Sequence, residues 1–293
     1  MSDRSPPGSP VSDKSPPGSP VSDSSFSVTG DSWESDDDDT LPLLEIFKMT
    51  YVGNLNKFRV MPKEQAGFIR ICSDRGVQYV YKVDASDRLI EHGDELDVTV
   101  KGPTICYSKN IYLEYDLFSG DFKGRKCLGW EPDVDDALST QVQLESSDCS
   151  REIAIIMGCF ANATVATVEV TLSGISAATK VYGVVAANNS ILDTPNCTSL
   201  LFVKKPDNVI EAGDKGVIPL SKSRVGVPLK SVLYLDISLN VNDYNHTASL
   251  QFNAQKEGES TKDADDMIKV KVSWCADEDK MCLMYDEVHT ADD

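Results

Sequence analysis

Histidine is the scarcest reactive side chain in this sequence, with His92, His246 and His289 the only three in 293 residues. A serine or cysteine nucleophile with a positioned imidazole base would have to use one of them. The chain also lacks a Gly-x-Ser-x-Gly elbow, a Walker phosphate loop, a His-Glu-x-x-His pair and a dinucleotide-binding glycine turn. These absences favour a non-enzyme. None of the eight cysteines (Cys72, Cys106, Cys127, Cys149, Cys159, Cys197, Cys275, Cys282) stands in a C-x-x-C spacing, so they read as thiols of a reducing compartment, many of them buried. No run of about 18 apolar residues occurs, and Met1 to Pro7 has no apolar core of the signal-peptide kind. The expectation is a cytoplasmic or nuclear protein that does not engage membranes, in which the sequons at Asn162, Asn188, Asn196 and Asn245 carry no role. Positive charge is short as well: 28 Lys and Arg face 47 Asp and Glu, a net charge of −19. With no Lys/Arg stripe to offset it, such a surface repels phosphate backbones, which excludes nucleic-acid binding through the folded part and leaves a protein partner, basic in character, as the expected ligand.

The acid is unevenly spread. Residues 1–40 hold nine Asp and Glu against Arg4 and Lys14, a net of −7 that leaves −12 for the rest. The same segment repeats Ser2 to Val11 as Ser12 to Val21, rich in Ser, Pro and Gly, and then runs through Asp36 to Asp39. Proline removes backbone donors, glycine and serine stay solvated and the aspartates repel one another, so a disordered leader is expected over 1–40. Ser5, Ser9, Ser15 and Ser19 each precede Pro, and Ser35 is followed by four acidic residues. These are the contexts that proline-directed and acidophilic kinases favour, which makes the five serines candidate phosphorylation sites, each phosphate adding about −1.5 to −2 charges.

From Leu43 onward the texture is alternation with period two. Leu233, Leu235, Ile237, Leu239 and Val241 alternate with Tyr234, Asp236, Ser238 and Asn240, and Ile268, Val270, Val272 and Trp274 alternate with Lys269, Lys271 and Ser273. Helical spacing is nearly absent, with one turn conceivable within Asp133 to Gln143. The chain also repeats itself. Asp87-Arg88-Leu89-Ile90-Glu91-His92-Gly93-Asp94 returns as Asp207-Asn208-Val209-Ile210-Glu211-Ala212-Gly213-Asp214, an offset of 120, and at that offset Leu113, Tyr115, Asp116 and Leu117 meet Leu233, Leu235, Asp236 and Ile237. With one gap, Gly67 to Ile71 corresponds to Gly183 to Ala187. The expected fold is all-β: two tandem, internally duplicated antiparallel β-sandwich units, 43–161 and 164–277, between the leader and an acidic tail at 278–293.

Two motifs invite a functional reading. The shared E-x-G-D reads as a turn in which Gly93 and Gly213 supply positive φ and Asp94 and Asp214 bond the turn backbone. Asp133, Asp135 and Asp136, and again Asp263, Asp265 and Asp266, fall in loops late in each unit, where hard carboxylate oxygens could gather around calcium. A calcium-dependent binding module is therefore an alternative to a plain interaction module, although no EF-hand pattern is present. No other cofactor is implied, and the oligomeric state is not legible.

Leu44-Glu45-Ile46-Phe47, Val181 to Ala187, Ile218-Pro219-Leu220-Ser221 and Ile268 to Trp274 resemble a cereal-grass family of domains of unknown function, over about Leu43 to Asp277. Members of that family occur alone or joined to ribosome-inactivating rRNA N-glycosylase domains, so the resemblance implies a stress or defence accessory. The Glu-Ala-x-Arg-type signature of the glycosidase is missing here, and Ala66-Gly67-Phe68 stands where the family has a tyrosine-glycine strand.

Overall fold

An extended chain with alternating side chains acquires one buried and one solvated face, and pairing its backbone with neighbours satisfies the amides that burial would strand. The computed structural model describes residues 41–53, 67–73, 76–83, 94–96, 102–105, 110–117, 122–129, 137–146, 151–174, 179–192 and 195–276. In chain order their strands are β1 (Leu41–Gly53), β2 (Gly67–Ser73), β3 (Gly76–Val83), β4 (Thr104–Ile105), β5 (Asn110–Leu117), β6 (Phe122–Gly129), β7 (Ala137–Glu145), β8 (Arg151–Leu172), β9 (Lys180–Asn189), β10 (Ser199–Lys204), β11 (Ile210–Glu211), β12 (Arg224–Pro228), β13 (Val232–Val241), β14 (Tyr244–Asn253), β15 (Glu257–Asp263) and β16 (Ile268–Cys275). The pairings between them are antiparallel, and no α-helix occurs among the described residues. No helix among them is long and apolar enough to cross a membrane. The fold is all-β, as the alternation predicts. The helical turn conceivable within Asp133 to Gln143 is instead strand from Ala137 on, because Val142 and Leu144 alternate toward the core.

Two small sheets face one large sheet. The small sheet β3-β2-β5-β6 packs against β1, β7 and the first half of β8 around Ile69, Leu113, Leu117, Ile153 and Met157. The small sheet β10-β9-β13-β14 packs against β12, β16 and the second half of β8 around Val185, Leu235, Leu239, Val168 and Val270. Each fully buried Leu, Ile or Val contributes about 1.5–3 kcal/mol of transfer free energy. The large sheet is shared: β8 pairs with β1 and β7 through its first half and with β12 and β16 through its second. The divide expected between 161 and 164 therefore falls inside one 22-residue strand. Its core-facing positions are odd before that point (Ile153, Ile155, Met157, Cys159) and even after it (Ala166, Val168, Val170, Leu172). A register shift opposite Leu41 and Leu43 absorbs the extra residue, which is what a β-bulge does. A third apolar cluster, Leu43, Phe160, Ala163, Val165, Leu192 and Cys197, fills the junction.

The duplication is visible strand by strand. Gly67 has φ +150 and lies opposite Leu117; Gly183 has φ +130 and lies opposite Leu239. A Cβ on either would collide with a carbonyl oxygen on the facing strand, that of Asp116 or Ser238. One residue bulges at the same place in each neighbouring pair, Val80 between β2 and β3 and Leu201 between β9 and β10. These landmarks place Leu117 against Leu239, an offset of 122 rather than 120. A two-residue slip keeps every side chain on its own face, which is why the sequence match at 120 looks equally good.

The E-x-G-D turn needs correction. Gly213 has φ −68, and the left-handed backbone sits at Lys215 (φ 61) and Gly216 (φ 77) instead. The turn closes through the Gly216 amide on the Gly213 carbonyl and the Gly213 amide on the Val217 carbonyl, so the strain falls later in the turn than the glycine suggested. Gly93 lies outside the described residues.

Candidate interaction face

Of the six candidate metal aspartates, Asp133, Asp135 and Asp136 lie outside the described residues, as do Ser5, Ser9, Ser15, Ser19 and Ser35. Asp263 ends β15, paired in the ladder with Lys269. Asp265 uses both carboxylate oxygens locally: Oδ1 accepts from the Met267 and Ile268 amides at 2.8 and 2.7 Å, and Oδ2 meets His246 Nδ1 at 2.5 Å. His246 is a residue of β14. Burial alone would raise the Asp265 pKa; the bond to His246 and the two amides outweigh it and hold the carboxyl below its ordinary value. Asp266 is exposed beside it. Among the described residues no group of three or more His, Cys, Asp or Glu could hold a metal ion.

A buried polar cluster ties the two sandwiches together. Glu45 on β1 is 1% exposed and Lys222, in the connection before β12, is 7% exposed. Lys222 Nζ donates to Glu45 Oε1 (2.7 Å), Ser199 Oγ (3.0 Å) and the Ile46 carbonyl (3.2 Å), which uses all three of its protons. Ser199 Oγ donates to the same Glu45 oxygen, and the Gly226 amide donates to Oε2 at 2.5 Å. A Cβ at Gly226 would sit 3.1 Å from that carboxylate oxygen, so glycine permits the approach. The network is closed on itself, and the adjoining pocket lined by Phe47, Asn189 and Cys197 is water-sized. Its chemistry is that of a clamp: a paired, fully bonded ion pair resists separation of the elements that carry it.

The outer face of the first small sheet is different in kind. Ladder register sets three rows across β3, β2, β5 and β6: Lys82–Phe68–Asp116–Lys123, then Tyr79–Arg70–Glu114–Arg125, then Val77–Cys72–Tyr112–Cys127. Arg70 donates through Nε (3.0 Å) and Nη2 (2.8 Å) to Glu114 Oε2, while Arg125 Nε approaches Oε1 at 3.4 Å. Lys123 pairs with Asp116 at 3.0 Å. Phe68, Tyr79 and Tyr112 each carry a cation. Arg70 lies 5.0 Å from the Phe68 centroid and 6.0 Å from that of Tyr79, Lys82 lies 5.5 Å from Tyr79, and Arg125 stacks 3.8 Å above Tyr112. Phe68 and Tyr79 meet edge to face at 5.7 Å. The bond from Arg70 holds the Glu114 carboxyl below its ordinary pKa, and the same bond raises that of Arg70. Among the described residues of these rows, four cations stand against two carboxylates, a positive balance in a chain of net charge −19.

The second small sheet supplies an internal control. By the shared register, Phe68, Arg70, Tyr79 and Lys82 correspond to Val184, Ala186, Leu200 and Val203, while Tyr112, Glu114, Lys123 and Arg125 correspond to Tyr234, Asp236, Thr247 and Ser249. Of the β5 side chains, Tyr112 and Glu114 have counterparts in Tyr234 and Asp236 of β13, whereas Asp116 becomes Ser238; all four cations are replaced by uncharged residues. Asp236 there bonds Ser249 instead of an arginine. The sandwich thus forms equally with or without the cations, so their placement on one face is not a requirement of folding. Sequence reading missed this face because Phe68-x-Arg70 and Lys123-x-Arg125 are 55 residues apart and only strand pairing brings them together; the i, i+2 spacing within each strand was the available signal.

The chain matches the model of a family described as "Domain of unknown function (DUF6598)" over residues 62–273. No curated protein matches it. Among solved structures it is similar to a chain of extended-synaptotagmin 2 that comprises an SMP domain and two C2 domains, at 6% identity and a TM-score of 0.27, covering 81% of this chain and 56% of that one. It is also similar to human GIVD cytosolic phospholipase A2 in complex with methyl gamma-linolenyl fluorophosphonate, at 8% identity and a TM-score of 0.24, covering 80% of this chain and 32% of that one. The chain thus spans about half of the first structure and a third of the second, and scores this low bear on no function.

Proposed function

The chain belongs to the DUF6598 family, and we propose that it is a non-catalytic protein-interaction module whose recognition surface is the outer face of β3-β2-β5-β6. The observation that carries this reading is the internal comparison: two copies of one framework, of which a single copy places Arg70, Lys82, Lys123 and Arg125 among Phe68, Tyr79 and Tyr112. Aromatic rings and arginines are the side chains most enriched where protein partners are held tightly, since they bury large area at little conformational cost. The general acidity of the chain favours basic partners elsewhere on its surface, while this face selects an acidic one. Electrostatic complementarity of that kind chiefly sets partner choice and association rate.

The test replaces the four cations by the residues that the second copy carries at the same positions. The full chain and R70A/K82V/K123T/R125S are compared by affinity capture from extract, with each captured protein then measured for direct binding. Proteins that bind the wild type and not the variant support the reading; a partner set indifferent to the four substitutions refutes it. Ribosomal co-sedimentation of the wild type, lost in the variant, would place the same face in the stress or defence setting that the family resemblance implies.

A further inference from the structure

Building on that recognition face, we infer that the ligand it takes is an extended acidic polypeptide segment with a carboxylate at every second residue. The geometry of β6 carries this. Lys123 and Arg125 project from the same face of one strand, two residues and so about 7 Å apart, and β6 is the outermost strand of its sheet. Both are well exposed, at 70% and 55%. Arg125 lies 3.8 Å from the Tyr112 ring centroid with its Nε 3.4 Å from Glu114 Oε1, two contacts that orient its guanidinium at the edge of the sheet. An extended peptide repeats its side chains at the same spacing of about 7 Å, so acids at alternate positions meet Lys123 and Arg125 in turn. Across the sheet, two or three strand spacings of about 4.8 Å away, Lys82 stands in the row of Lys123, and Arg70, bonded to Glu114 through Nε and Nη2, stands in the row of Arg125 and adds its charge to the face.

The distribution of acid argues against a phosphate polymer. Asp116 and Glu114 run along β5 between these cations, so a nucleic-acid backbone laid across the face would meet carboxylates where it needs cations. A single extended peptide running along the outermost strand β6 keeps its acids on Lys123 and Arg125 and clear of the β5 carboxylates. The counterpart edge strand β14 has Thr247 and Ser249 in place of Lys123 and Arg125, so edge protection by charge does not account for the pair.

The experiment titrates the full chain with a short synthetic peptide alternating Glu and Thr, and with a peptide of the same composition whose Glu residues are contiguous. The alternating peptide should bind more tightly, lose affinity as ionic strength rises past the Debye regime of about 8 Å at 0.15 M, and weaken about tenfold with K123T/R125S, about 1.4 kcal/mol. That variant carries residues found at these positions in the second copy, and an unchanged melting curve confirms its fold; R125K is a second variant, which keeps the charge and removes the planar fork. Equal binding of the two peptides, or preferential binding of single-stranded RNA or of anionic phospholipid vesicles, overturns the inference. If proteins captured from extract still depend on Arg70 and Arg125 while the alternating peptide neither binds nor displaces them, the ligand class is wrong and the recognition face stands. If neither capture nor peptide depends on those residues, both fall.

Discussion

Glu45 and Lys222 are 177 residues apart in sequence and 2.7 Å apart in the fold. Removing one member strands a charge in a buried site, so Lys222→Met should destabilise the protein by about 3–5 kcal/mol, read as a lowered denaturant midpoint. Replacing both, E45L/K222M, should cost less than Lys222→Met alone, because no unpaired charge is left behind. Thiol reactivity follows burial in the same way. Cys127 is exposed, whereas Cys159 and Cys197 are buried and burial pushes the Cys159 thiol up to about 12. Native alkylation should therefore modify Cys127 and spare Cys159 and Cys197, with all three labelled after denaturation. Asp265 gives a pH signature. Its folded pKa is lowered, so its bonds stabilise the folded state above the ordinary carboxylate range of about 4 and that contribution disappears as the pH falls through the folded value. The difference in melting temperature between the wild type and Asp265→Ala should accordingly shrink on acidification; a difference constant down to about pH 2, below the ordinary carboxylate range, would show that the carboxylate form is not what stabilises the turn. Individually these residues were poorly legible in the sequence, since Glu45 and Lys222 look like ordinary surface charges until their strands are placed.

At the scale of elements, alternation made most of the strands readable, because a period of two survives any error in register. What it left open was which strand pairs with which, and with that the composition of each outer face. The offset of 120 illustrates the limit. Gly67 and Gly183 fix the true correspondence at 122, and they do so through backbone crowding that no side-chain pattern reports. Gly67→Ala and Gly183→Ala should each cost about 1–3 kcal/mol, since both combine positive φ with a Cβ forced against the facing carbonyl. An alanine tolerated at one of them without loss of stability would break the equivalence. The diverged faces allow a gain of function too: A186R/T247K/S249R in the second sheet, beside the existing Tyr234 and Asp236, should create a second site for the same acidic partner and raise the binding stoichiometry.

Over the whole molecule, strand β8 belongs to both sandwiches, and the Glu45–Lys222–Ser199 cluster and the Phe160–Leu192 contact region tie them again at the junction. The sequence reading placed a boundary between 161 and 164, whereas a bulged β8 runs through that point from Arg151 to Leu172. Shared structure of this kind couples the unfolding of its parts, so calorimetry of the described fold should give one transition, and two resolved transitions would show that β8 can melt in halves. For the interaction role proposed above, the coupling would hold the cationic face of one small sheet on a stiff support, where its rows of side chains keep a fixed spacing. The most direct test of that account is the affinity of the captured partner for the full chain beside its affinity for R70A/K82V/K123T/R125S, at matched melting temperatures. The account predicts at least about a tenfold loss, equivalent to about 1.4 kcal/mol, with the fold intact; equal affinities would contradict it.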